Sequence, residues 1–142
     1  TPACRIDGRR LSLTLPPNLA PVDAAWPAMR EWYSAVTKRR VLVAIRKHAP
    51  ALAVKPGKIR IVDQSSRWAS CSRNGDIRCN WRLSMMPAPV LEYVVAHELC
   101  HLRISTHSLQ FWRLVKSLLP DFEKRREWLK ENGPGIAFSV LG

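Results

Sequence analysis

The chain has 142 residues and a net charge of +12, with 46% hydrophobic and 24% charged residues. A globular chain of this length buries about two-thirds of its unfolded surface without disulfide staples, and no apolar run approaches the ~20 residues that a membrane-spanning helix needs. The charge is uneven, with twelve Lys and Arg against three acids in residues 1–60 and eleven against eight in 61–142, so the N-terminal half is expected to attract polyanions, nucleic acid among them.

Leu11, Leu13 and Leu15 alternate with Ser12 and Thr14, a short half-buried strand closed by Pro16 and Pro17. From Asp23 to His48, Trp26, Met29, Trp32, Tyr33, Val36, Val41 and Ile45 recur at helical spacing, with Lys38, Arg39 and Arg40 on another face. Pro50 and the Lys55-Pro56-Gly57 stretch are expected to end that helix. Lys58–Asp63 alternates like a strand. Arg67–Ser72 and Ile77–Leu83 flank Asn74-Gly75, the strongest short hairpin signal because both residues tolerate positive φ.

Pro87 and Pro89 suit the first turn of a helix that runs on through Val90 to Leu102 and is apolar nearly all round, hence central and buried. Helices are expected over Ser108–Leu119 and Asp121–Glu131, broken by Pro120 and closed by Asn132-Gly133-Pro134, with a terminal strand over Ile136–Leu141. A small antiparallel sheet followed by helices predicts an α+β fold in one domain spanning 1–142. Cys4, Cys71, Cys79 and Cys100 form no C-x-x-C pair and read as reduced thiols. The start TPACRIDGRR carries no apolar stretch of an export signal, so the cytoplasm is the expected compartment.

The chemistry concentrates at His97-Glu98-Leu99-Cys100-His101. Residues four apart share one helix face, so His97 and His101 can present imidazole nitrogens to one ion. Zinc takes neutral imidazole at about 2.0–2.1 Å and in catalytic centres keeps three protein ligands and one open position. His107, six residues further on, is the expected third ligand. Glu98, beside the first ligand, is the expected general base. It would take the proton of a zinc-bound water whose pKa the ion has lowered toward ~7, and later pass that proton to the leaving amine. The spacing H-E-x-x-H-x-x-x-x-x-H is shared with metzincins, but Ile104 stands where their helix turns on glycine and no Met-turn follows His107.

The run RWASC…NWRLSMMPAPVLEYVVAHELCHL…HSLQFW…PDFEKRREWLKENG, over about residues 58–133, resembles the YgjP-like metallopeptidase domain, a relative of the SprT and Spartan zinc proteases. That resemblance implies a zincin-like α+β fold, one zinc ion on His97, His101 and His107, and Glu98 as catalytic base. Ala69, Cys100 and Thr106 depart from the usual Gly, Ala and Asn of the family, and residues 1–57 match weakly.

Arg67, Trp68, Ser70, Asn80 and Trp81 on the expected hairpin, and Tyr93 one turn before His97, are candidate substrate contacts, with packing or turn hydrogen bonding as the competing role. His48 reads as a helix-end residue in a favourable dipole contact. Phe111, Trp112, Val115, Leu118 and Leu119 are expected to clamp the segment of the third ligand onto the core. The leading expectation is a zinc-dependent peptidase acting on a protein or peptide substrate, with nucleic acid as a docking partner. Two alternatives use the same centre: hydrolysis of a phosphoester or nucleotide, and a nucleic-acid-binding module with structural zinc and Cys100 as fourth ligand.

Overall fold

The fold is a computed structural model that describes residues 3–7, 10–14, 21–64 and 66–141. Strands β1 (Ala3–Asp7) and β2 (Arg10–Thr14) pair antiparallel. The strand expected from the leucine alternation is β2, while Leu15, Pro16 and Pro17 lie outside the described residues. Helix α1 (Pro21–Leu52) buries Val41, Ala44, Ile45, His48, Ala49 and Leu52, a stripe at helical spacing. It runs past Pro50, because a proline in the last turn removes only one amide from the ladder. The helix stops at Ala53, which takes φ of 55° while the amide of Val54 reaches back to the Ala49 carbonyl.

Strands β3 (Ile59–Val62), β4 (Ala69–Cys71) and β5 (Ile77–Asn80) form a sheet in the order β3-β5-β4. The hairpin of β4 and β5 is antiparallel and turns on Asn74-Gly75, with Gly75 at φ +90°. β3 runs parallel to β5, so the sheet is mixed rather than wholly antiparallel. The strand expected over Ile77–Leu83 ends at Asn80, whose side chain accepts a bond from the Arg82 amide and caps a 3-10 turn over Trp81–Met85.

Helix α2 (Ala88–His101) packs against α1, α3 (Leu109–Leu118), α4 (Phe122–Leu141) and the edge strand β4. Val90, Leu91, Val94, Val95, Ala96 and Leu99 are buried on it, which fits its all-round apolar sequence. α4 does not close at Asn132-Gly133-Pro134. It continues through Pro134, and the expected strand over Ile136–Leu141 is helical. Gly133 is buried against the Trp68 indole, 3.2 Å from where a Cβ would stand, so it serves close approach rather than termination. No helix among the described residues is long and apolar enough to cross a membrane.

Candidate metal centre

α2 carries His97 and His101 one turn apart near its C-terminal end, both half-buried on a largely buried helix. The chain then leaves the helix without glycine. The amides of Arg103 and Ile104 both donate to the Cys100 carbonyl, and Ala53 is the only non-glycine with positive φ among the described residues. Ile104 packs its side chain on the core, and its carbonyl accepts a bond of 3.1 Å from Nδ1 of His101. That bond puts the ring proton on Nδ1 and leaves Nε2 a bare lone pair. Ser108 caps α3, accepting from the Phe111 amide, and so fixes the approach of His107 just before it.

The three Nε2 atoms converge. They stand 3.2 Å (His97–His101), 3.1 Å (His101–His107) and 3.3 Å (His97–His107) apart. Nitrogens bound tetrahedrally to one ion at 2.0–2.1 Å are about 3.3–3.4 Å apart, so the triangle matches one face of such a coordination shell to within a few tenths of an ångström. This is the only group of metal-ligating side chains found among the described residues. Aromatic rings hold the imidazoles: Phe111 stacks on His101 at 4.4 Å, and Trp112 stacks on His107 while also contacting Phe122 and the Arg126 guanidinium. Burial, reinforced by the neighbouring His101 and His107, pushes His97 down to about 3, so its imidazole is neutral at ordinary pH, the form that can bind a metal ion.

Glu98 points into the same cleft, which has a volume of about 560 Å³ and is lined by the three histidines, Glu98, Arg67, residues 69–73, Leu102 and Ser105. Only 8% exposed, the carboxyl is pushed up to about 7 by burial, with Arg67 pulling the other way. Cys100 is fully buried in the hydrophobic core, where burial raises its thiol to about 12, and its sulfur is not among the ligand atoms that converge with the histidines. The closed site with Cys100 as fourth ligand therefore does not form.

The weaker candidates separate. Arg67 is exposed at the cleft rim. Trp68 and Tyr93 line a smaller hollow of about 220 Å³ behind His97 and Glu98, and the Tyr93 hydroxyl stands 3.5 Å from Nδ1 of His97. Asn80 and Trp81 are buried and line neither space. Asn80 donates to the Gln64 and Arg67 carbonyls, and the Trp81 indole to Asp63, so they brace the loop that carries Arg67. The same loop is anchored by the fully buried Arg82, paired with Asp63 at 2.8 Å. Of the hairpin candidates Ser70 lines the cleft together with Arg67, and Cys71, Ser72, Arg73 and Ser105 line it as well, with no motif in the sequence to mark them. Cys71 ends the edge strand beside the histidine helix, Ser72 and Arg73 open the turn after it and Ser105 lies just past α2, so their place in the fold is their signal.

His48 is not a helix-end residue. It is buried and bonds Glu92 at 2.8 Å, and Glu92 also accepts from Lys47 and Arg125.

Nothing among the curated proteins matches the chain. A solved structure, the crystal structure of the metallopeptidase zymogen of Pyrococcus abyssi abylysin, is similar at a TM-score of 0.54 and 25% identity, covering 66% of this chain and 93% of that one. The family model of the YgjP-like metallopeptidase domain matches residues 6–132, taking in most of the N-terminal half as well as the metal helix. A histidine triangle of coordination size, a carboxylate beside it and a family match along nearly the whole chain lead to one assignment: this protein belongs to the YgjP-like metallopeptidase domain family, and is a metal-dependent peptidase.

Proposed function

We propose that the protein is a zinc peptidase in which His97, His101 and His107 hold one ion and Glu98 is the general base. The observation that carries this reading is the Nε2 triangle of 3.1–3.3 Å beside a carboxylate in an open cleft. An all-imidazole donor set suits zinc, which supplies Lewis acidity toward a peptide carbonyl and acidifies water. Glu98 takes a proton from the attacking water on its carboxylate and delivers it to the leaving amine nitrogen. Tyr93 steadies the His97 ring from its Nδ1 side, and Arg67 faces the incoming chain. β4 pairs with β5 on one side only, so its other edge offers backbone groups to an extended peptide lying along the cleft.

The solvent side of α1, with Lys38, Arg39, Arg40 and Arg46 exposed, supports docking on nucleic acid. Zinc-loaded protein is expected to cut casein and peptide libraries, to lose that activity on chelation and to regain it with zinc. Uncut substrates in the presence and absence of DNA would sink the reading. Docking is expected to weaken steeply with added salt, and an affinity indifferent to salt removes it.

A further inference from the structure

A second hollow, of about 460 Å³, adjoins the metal cleft and shares Arg67, Ser70, Cys71 and Ser72 with it. Its floor follows from the sheet register. Arg60 on β3 pairs with Arg78 on β5, and Arg78 pairs with Ser70 on β4, so the three side chains form a row across one face of the sheet. Ile77 and Cys79, on either side of Arg78, are buried on the other face. Arg60, Arg67 and Arg78 are all exposed, and none of them makes an ion pair among the described residues. The acid in the hollow is Asp76, which accepts from the Lys58 amide and from Asn74. Three guanidiniums against one carboxylate leave the hollow cationic.

We propose that this hollow is a recognition subsite for an acidic side chain of the peptide being cleaved. The inference rests on the metal cleft being where peptide is cut. A peptide extended along the free edge of β4 sends alternate side chains, about 7 Å apart, to the sheet face that carries the arginine row. A carboxylate there meets the planar donors of Arg67 and Arg78, with Arg60 behind them, in the geometry guanidinium groups favour. The small concave space admits a side chain. A nucleic-acid strand needs a longer track of cations than these three supply. Enzyme specificity would then favour Asp or Glu displaced by two residues or so from the scissile bond.

The test uses matched fluorogenic peptides carrying Glu or Gln at each position around the cut, with the zinc-loaded full chain. Glu peptides are expected to be cut with kcat/KM higher by about tenfold, chiefly through KM, with the advantage shrinking as salt rises. In the Arg60→Gln, Arg78→Gln double variant the Glu-to-Gln ratio should fall toward one, and Arg78→Glu should turn the preference toward Lys peptides. Equal cutting of Glu and Gln peptides at every position by the unaltered enzyme overturns the proposal, as does a double variant that keeps the ratio. So does a double variant that loses oligonucleotide binding while keeping the peptide preference, since the row would then serve nucleic acid. If no peptide of either kind is cut, the peptidase reading itself fails. The subsite is then judged by fluorescence anisotropy on the Glu98→Gln chain, where tighter binding of Glu than Gln peptide supports it and equal binding ends it.

Discussion

α2 carries two carboxylates six residues apart that the fold drives in opposite directions. Glu92, half-buried, would be raised by burial alone, but bonds from Arg125, His48 and Lys47 outweigh that and bring it down to about 2. Glu98 has no such partners, and burial lifts it to about 7. The first is a joint: one acid ties α1, through Lys47 and His48, and α4, through Arg125, to the central helix. In the proposed mechanism the second is the working group, since an acid without neutralising hydrogen bonds keeps its lone pairs for a substrate proton. Two identical side chains on one helix thus differ in acidity because of what surrounds them.

The sharpest way to break this comparison is to neutralise each acid in turn. Glu98→Gln is expected to lower peptide hydrolysis by ~10²-fold or more while zinc content, measured by atomic absorption, stays at the level of the unaltered chain. Glu92→Gln should leave Lys47, Arg125 and the His48 imidazole facing an amide and cost about 1–3 kcal/mol in urea unfolding, with hydrolysis retained where the protein stays folded. If the two phenotypes exchanged, the assignment of joint and working group would be reversed.

Acidity sharpens the same contrast in metal-stripped protein. The folded-state pKa of Glu92 lies below its ordinary 4.5, so its contribution is complete above about 4.5 and is lost as pH falls toward 2. The folded-state pKa of Glu98 lies above 4.5, so ionising it in place erodes stability as pH rises from about 4.5 toward 7. The melting temperature of the Glu98→Gln variant should therefore fall less than that of the unaltered chain across the upper window, and Glu92→Gln should flatten the lower one. Parallel curves for all three chains would contradict both shifts. The smallest effect is expected from Tyr93→Phe, whose hydroxyl meets His97 only at 3.5 Å: zinc affinity falls by about tenfold or less in competition with a chelator.

The metal helix and the hairpin could be read from the sequence because their signals are local. The H-E-x-x-H spacing, Asn74-Gly75 and the prolines at 87 and 89 each specify backbone within a few residues. What lay beyond reach depends on distant partners. Nothing in Lys58–Asp63 tells that β3 will lie parallel to β5, and Glu92 looks like a solvated helix charge until His48, 44 residues earlier, is found against it. A charged residue on an otherwise apolar helix was the available hint. Pro134 misled for the opposite reason: a local breaker is overridden because Gly133 lets the helix pack on Trp68 and carry on. Asn80 and Trp81 were candidates for substrate contact by their place near the motif, yet their side chains turn inward to brace the Arg67 loop.

The contact between Gly133 and Trp68 has a further meaning for how the enzyme can be tuned. Trp68 forms one wall of the hollow behind Glu98, and that wall leans on a position with no side chain. A single methyl group at residue 133 would press on the indole and on Leu129, both of which line the hollow behind Glu98. The C-terminal helix thereby backs one wall of the hollow beside Glu98 while contributing no histidine to the triangle.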